Sequence, residues 1–332
     1  INGFGRIGRP SLKIVLEKPD LDIVGINDLA DPMMLAHLLR YDTVYGRYAK
    51  RVAADEGAIL VEDRRIPVFA EKDPRKLPWK DLGVDVVLEA TGLFTTREKA
   101  KAHLDAGARR VIISAPSASL DVDTILFGVN EDRLGEQDII ANGSCTTNCV
   151  TPVLAVLDAA FGVERSVMTT IHAVTASQNL VDGPNTDARR ARAAAWNIVP
   201  TETGAAEATV RALPEMEGRF AGLSFRVPVP TVSLADLSAV TKRRTTVEEV
   251  NRVFKEAAAN PLYAGVLAVT DEPVVSSGFI GDPHSAIVDL SLTQVVGETL
   301  VKVIAWYDNE WGYANRLVEQ ALAVGRALPH LP

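Results

Sequence analysis

The chain has 332 residues, 47% apolar and 23% charged, so it can bury a substantial core without staples, and disordered and fibrous classes are excluded. A net charge of −8 argues against a nucleic-acid partner, because duplex binding needs a basic face. No stretch approaches the ~18 consecutive apolar residues of a membrane helix, no secretory leader is recognisable, and two cysteines fit a reducing cytoplasm. The sequence opens at Ile1 without an initiator Met, inside what reads as the end of a strand, and a few residues are expected before it.

In chain order the first signal is GFGRIG, which sets Gly3, Gly5 and Gly8 in a G-x-G-x-x-G pattern. A helix-like continuation through Leu12 to Leu16 and the strand-like LDIVGIN, ending at Asp28 about 20 residues past Gly8, give the pattern its context. Such a turn brings backbone close to a pyrophosphate at a helix N-terminus. Asp28 is expected to accept from ribose hydroxyls and to repel a 2′-phosphate, which favours NAD over NADP. The competing reading is an ordinary glycine-rich turn with Asp28 as a solvated cap. Helix-like PMMLAHLLRY, strand-like VDVVLEA, helix-like TREKAKAHLDAGA and strand-like RRVIIS, TILFGV and DIIAN follow. This alternation predicts βα units around a mostly parallel sheet. Thr91, Gly92 and Ser114 lie just past such strands, where ligands of parallel sheets bind.

SCTTNC, Ser144 to Cys149, holds both cysteines. Four residues apart on a helix, their Cβ atoms would stand about 5 to 6 Å apart, while a disulfide wants about 3.5 to 4.5 Å. Two thiols and five scattered histidines give no metal-ligand spacing, so no metal is expected. A nucleophile remains. Ser144 can cap the helix after DIIAN, which puts Cys145 in the first turn, where the dipole and a nearby imidazolium would favour the thiolate. Cys149, one turn further, is expected to be a buried apolar residue. Pro152 falls inside the helix and should kink or strain it.

Beyond SCTTNC the texture changes to helix-like VLAVLDAAFG and VEEVNRVFKEAAAN and longer strand-like runs: SVMTTIHAV, LSFRVPVPTVSLADL, AIVDLSL and LVKVIAWYD. These predict a mixed sheet with helices on one side. WGYANRLVEQALAVGRAL has helical spacing, with Leu317, Ala321, Leu322 and Val324 on one side. Of the histidines, His172 is the best base candidate, ending a strand-like run before a loop, although a lone histidine is more often structural. His37 and His330 read as incidental. In FRVPV, Phe225, Val227 and Val229 share a strand face, so Arg226 points the other way, toward an anion or a surface ion pair. TETGAAEATV reads as a helix start whose amides, with Thr203, can cradle phosphate or simply cap the helix.

INGFGRIG, IND, HLLRYD, SCTTNC, TTIHAVT, RRARAAAWNIVP, TGAA, FRVPVP and WYDNEWGY together resemble phosphorylating glyceraldehyde-3-phosphate dehydrogenases over essentially the whole chain. The resemblance implies a Rossmann-type α/β dinucleotide-binding domain, residues 1–144 completed by a C-terminal helix 311–332. An α+β catalytic domain with a mixed, largely antiparallel sheet would cover 145–310. It implies Cys145 as nucleophile toward glyceraldehyde 3-phosphate, His172 as base, NAD as cofactor, and inorganic phosphate as the species that cleaves a thioester. It places the substrate phosphate at Thr175 and Arg226, and the attacking phosphate at Ser144, Thr146, Thr203 and Gly204 with Arg190. Asn309 would hold the nicotinamide amide with Tyr313 beside it, and Asn2, Arg6, Ile7 and Lys72 join the cofactor contacts. A homotetramer is expected, and some of Arg189, Arg190 and Arg192 could pair with a neighbouring subunit. Leu29 and Pro184 resemble NAD-using members.

Two positions depart from the commoner pattern. Ser177 stands where some members carry an acid, and Gly143 stands where alanine is common, which should loosen the turn slightly. Erythrose-4-phosphate dehydrogenase is the rival enzyme reading, disfavoured by HAVT and both cysteines. A non-catalytic NAD-binding or thiol-sensing protein is the rival from another class, set against the presence of Cys145, His172, Arg226 and Asn309.

Overall fold

The computed structural model describes residues 1–328; His330 and the end of the expected helix 311–332 lie outside the described residues. The chain divides into two compact units. One comprises Ile1–Ile125, Asp132–Gly143 and the chain from Ala314 onward, and the other Leu126–Glu131 and Ser144–Tyr313.

In the first unit Val86–Glu89, Arg110–Ile113 and Ile139–Ala141 run parallel, as alternating apolar strands and helices require. Asn2 makes parallel bridges to both Asn27 and Glu89 and so joins this group to Ile26–Asn27 and its partner Arg64–Phe69. Helices Gly8–Val15, Pro32–Arg40 and Arg97–Asp105 alternate with these strands. The second and third are capped by Asp31 and Thr96, whose side chains accept from the backbone amides of Met33 and Lys99, two and three residues on. Among the described residues no helix is long and apolar enough to cross a membrane.

Three details differ from the sequence reading. LDIVGIN pairs only at Ile26 and Asn27, opposite Val68 and Phe69. The next register partner would be Pro67, which has no N–H to offer the ladder. Residues 52–69 form an antiparallel meander, Val52–Asp55, Ala58–Val61 and Arg64–Phe69, so the sheet is less parallel than the βα alternation suggests. TILFGV is not a strand. Only Thr124 makes a bridge, and the chain then turns through Gly128, at φ 74°, with Asn130 Oδ1 accepting from the Leu126 amide.

The second unit is built on a mixed sheet. Its strands lie in the order Val199–Thr201, Phe220–Arg226, Val163–His172, Ser233–Thr241, Leu300–Tyr307, Ala286–Asp289 and Leu267–Thr270, and Gln294–Val296 also pairs with Leu300–Tyr307. Two of these pairings are parallel and the rest antiparallel. LSFRVPVPTVSLADL is two strands rather than one. The first ends at Arg226, so Val227 and Val229 share no strand face with Phe225, and Pro228, Pro230 and Val232, at φ 66°, keep the ladder from continuing. Helices Cys145–Phe161 and Val247–Ala258 pack against the sheet through Cys149, Val153, Leu157 and Phe254, which meet Met168, Leu237 and Val301. The other face is open to solvent at Val167, 60% exposed, and at Leu223 and Leu300.

Candidate active site

The strand Ile139–Ala141 ends in a turn at Gly143, whose φ of 61° lies in the left-handed region. Glycine here relieves strain that alanine would carry, a stronger role than the slight loosening expected from the sequence. Ser144 is extended and caps the helix Cys145–Phe161 with a reciprocal pair. Its Oγ accepts from Thr147 N at 3.0 Å, and Thr147 Oγ1 accepts from Ser144 N at 3.2 Å. Cys145 therefore occupies the first helical position and stays half-buried, while Cys149 is fully buried; both are free thiols. The helix runs past Pro152 without a break in its assignment, Pro152 being buried in the unit's interior.

His172 ends the strand Val163–His172, 3.4 Å from Cys145 Sγ through Nε2. Its Nδ1 lies 2.7 Å from the Ala173 carbonyl, an acceptor only, so Nδ1 carries the proton and Nε2 faces the sulfur with its lone pair. Arg226 sits directly across the parallel pairing from His172. Its Nη1 lies 3.1 Å from His172 Nδ1 and donates to Ala173 O and Thr175 Oγ1, each at 3.0 Å. Tyr307 packs edge-on against the imidazole, and its hydroxyl lies 2.8 Å from both Thr146 Oγ1 and Thr170 Oγ1.

The electrostatics differ from the thiolate–imidazolium pair anticipated from the sequence. Burial, assisted by the Arg226 charge, lowers the His172 pKa to about 3. Burial pushes the Cys145 thiol up, against the opposing pull of Arg226 and hydrogen bonds from Thr146. Both shifts favour the uncharged form of each group. The Arg226 charge and the local hydrogen bonds do not offset the loss of water around sulfur.

Around this pair, Thr175 Oγ1 and Ser177 Oγ lie 3.0 Å apart beside Arg226, whose Nε is buried without a partner. Thr203 Oγ1 accepts from Ala205 N at 3.2 Å, and Gly204 precedes the helix Ala205–Ala212. Arg190 is engaged locally, its Nε donating to Thr201 Oγ1 at 2.8 Å with Asp187 at 3.4 Å. The Thr146 side chain is buried and committed to Tyr307, in contrast to the half-buried Ser144. Asn309 accepts from Ser233 Oγ at 3.0 Å, and Asn309 and Tyr313 are both buried in the second unit. Tyr307 was not singled out from the sequence, although it lies inside WYDNEWGY; its neighbours come from strands and helices far away in the chain.

The first unit carries a separate cavity of about 530 Å³, lined by Asn2, Gly3, Gly5, Asp28, Lys72 and Thr91 among others. The three glycines do different work. Gly3, at φ 90°, makes the tight turn, and a Cβ there would stand 2.7 Å from Thr91 N. A Cβ on Gly8 would meet Gly3 O at 2.1 Å, so Gly8 allows close packing of the helix on the turn, whereas a Cβ on Gly5 would meet nothing within 4 Å. Asp28 Oδ2 accepts from Phe4 N and Oδ1 from Ala30 N, which aims the carboxylate and leaves lone pairs for hydroxyl donors. A dinucleotide fits this cradle. Arg6, Ile7, Gly92 and Ser114 do not line the cavity: Arg6 pairs with Asp42 at 2.6 Å, Ile7 opens the first helix, and Ser114 N donates to Glu89 O. Leu29, Leu93 and Phe94 do line it; Leu93 and Phe94 were not selected, and apolar residues after a strand end carry no chemical signal of their own.

Residues 1–97 match the family description "Glyceraldehyde 3-phosphate dehydrogenase, NAD binding domain", and residues 144–309 match its C-terminal domain. Glyceraldehyde-3-phosphate dehydrogenase 1 of Streptomyces avermitilis is 51% identical over 331 residues, covering 99% of this chain and 98% of that protein. The glyceraldehyde-3-phosphate dehydrogenases of Mycobacterium avium and Mycolicibacterium smegmatis are 50% and 49% identical, with the same coverage. With a cysteine–histidine pair in one unit, a glycine cradle in the other and this similarity along its length, the chain belongs to the glyceraldehyde 3-phosphate dehydrogenase family.

Proposed function

We propose that this protein oxidises D-glyceraldehyde 3-phosphate with NAD and inorganic phosphate to 1,3-bisphosphoglycerate, with Cys145 as nucleophile and His172 as base. The observation that carries the reading is the 3.4 Å approach of Cys145 Sγ to the unprotonated Nε2 of His172. His172 takes the thiol proton as sulfur bonds to the aldehyde carbon and returns it to the former carbonyl oxygen, giving a neutral hemithioacetal and a free Nε2. When bound, NAD supplies the hydride acceptor. His172 Nε2 accepts the hemithioacetal hydroxyl proton as the carbon loses hydride, leaving a thioester on Cys145. Phosphate then breaks the carbon–sulfur bond, and the departing sulfur regains its proton from His172.

Arg226 and Thr175 bind the substrate phosphate in this reading, Arg226 through its fixed fork of donors. Ser144, Thr146, Thr203 and Gly204, with Arg190, receive the attacking phosphate, helped by the free amides at the start of Ala205–Ala212. Thr146 serves there with its amide or by redirecting its hydroxyl. The cofactor is held by the first unit through Asn2, Gly3, Gly5, Asp28, Lys72 and Thr91, with Arg6, Ile7, Gly92 and Ser114 shaping its surroundings, and by Asn309 and Tyr313. Residues 1–144 with the C-terminal helix act as the dinucleotide domain and 145–310 as the catalytic domain.

We infer a homotetramer, supported by the open apolar sheet face at Val167, Leu223 and Leu300 and by Trp196, 85% exposed on a single chain. Two free thiols support a cytoplasmic location. The test is NADH formation from glyceraldehyde 3-phosphate with phosphate present or omitted, and with Cys145→Ser as control. Equal steady turnover without phosphate, or an active serine variant, would overturn the reading.

A further inference from the structure

Beneath the first unit's cavity lies a fully buried polar cluster that the chemistry above does not use. Glu89 is 1% exposed and His103 and Trp79 no more than that. The Trp79 indole donates from Nε1 to His103 Nδ1 at 3.0 Å. An indole N–H can only donate, so Nδ1 accepts and the imidazole carries its proton on Nε2. That proton points at Glu89 Oε2, 3.0 Å away.

Glu89 accepts three further bonds. Asn2 Nδ2 donates to Oε2, and Thr91 donates to Oε1 from its amide at 2.9 Å and from its hydroxyl. Asn27 Nδ2 in turn donates to Asn2 Oδ1 at 2.7 Å and to Glu71 O at 2.9 Å. Each of these segments runs straight into the cavity wall. Asn2 precedes Gly3, Asn27 precedes Asp28, Glu71 precedes Lys72, and Thr91 lines the cavity itself. Glu89, His103 and Trp79 stand behind the wall; Trp79 holds His103, and His103 meets the carboxylate, lies 3.3 Å from Asn2 Nδ2 through Nε2 and packs edge-on against Phe94, which lines the cavity. A carboxylate removed from water is tolerated where donors converge on it, and one whose donors are all satisfied holds a single geometry.

We propose that Glu89 and His103 are positioning residues for the dinucleotide cleft: Glu89 ties the glycine turn, the Asp28 strand end and the Thr91 turn to one point, and His103 orients that carboxylate. The proposal rests on the reading of this cavity as the NAD site. Losing His103 leaves Glu89 short of a donor and Trp79 short of an acceptor, so the walls of the cleft shift while Cys145 and His172, in the other unit, keep their geometry.

The experiment compares the whole protein with His103→Leu, which removes both bonds, and His103→Gln, which retains one donor and one acceptor. NAD dissociation constants, kcat at saturating NAD and the rate of Cys145 alkylation by iodoacetamide without NAD are measured for each. His103→Leu is expected to bind NAD at least about tenfold more weakly, as when a buried charged acceptor loses a donor. Its kcat and alkylation rate should stay within about twofold, and His103→Gln should recover most of the affinity. NAD affinity unchanged in His103→Leu overturns the proposal, as does a loss of affinity matched by equal losses in kcat and alkylation. If His103→Leu gives no soluble protein, Glu89→Gln, which preserves size but turns a donor toward converging donors, is held to the same criteria. Failure of the unsubstituted protein to bind NAD overturns the functional reading and this proposal with it, whereas normal binding there with no effect in the variants overturns this proposal alone.

Discussion

Arg226 and His172 face each other across a parallel strand pair, and the guanidinium Nη1 lies 3.1 Å from the imidazole Nδ1. A fixed positive charge beside a buried ring makes a second positive charge unfavourable there. Burial first and this charge second thus hold His172 toward its neutral, proton-accepting form, while Arg226 Nη1 donates to Ala173 O and Thr175 Oγ1.

Acid should expose this arrangement. The folded protein keeps His172 neutral down to about pH 3, while the unfolded chain protonates it near its ordinary value of about 6.5. Between these values the unfolded state binds the extra proton, so the stability tied to the neutral ring is complete above about pH 6.5 and is lost as pH falls toward 3. Urea denaturation from pH 7 to pH 4 should show a shallower loss of stability in His172→Gln than in the unsubstituted protein. Parallel curves would count against the depressed imidazole.

The glycines of the turn should separate binding from folding. Gly5→Ala adds a methyl where nothing stands within 4 Å, so its thermal midpoint should hold while NAD affinity falls at least about tenfold through lost backbone approach. Gly8→Ala drives its Cβ into Gly3 O and should destabilise the protein by about 1–3 kcal/mol or more. Calorimetric melting with NAD titration reads both, and equal effects from the two substitutions would refute the division of roles.

The thiols should report their different settings. Iodoacetamide should modify about one sulfur per native chain, with dehydrogenase activity lost in step, and both sulfurs after unfolding. Cys149→Ala should keep the activity and cost about 1–2 kcal/mol for the small cavity left in the core. Mass spectrometry locates the adduct; modification of Cys149 in the native protein would contradict its burial.

Much of the local architecture was legible. Ser144 and Thr147 cap the helix of Cys145 through contacts three residues apart, and such signals depend only on neighbours in the chain. The amphipathic helices Pro32–Arg40 and Val247–Ala258 follow in the same way from spacing and caps. TILFGV misled because an apolar run is compatible with a buried turn as well as a strand, and Gly128 decided between them.

What the sequence by itself determined, then, were the features that neighbours in the chain can settle: the glycine turn, the capped first turn that carries Cys145, and the burial of Cys149. Tertiary structure alone decided the protonation of the site and its company. His172 lies 27 residues from Cys145 and Arg226 54 residues from His172, and Tyr307 and the Glu89–His103 cluster are likewise assembled from distant segments. Desolvation and Coulomb interactions depend on distance in space and on excluded water, and strand register fixes both only once the chain has folded.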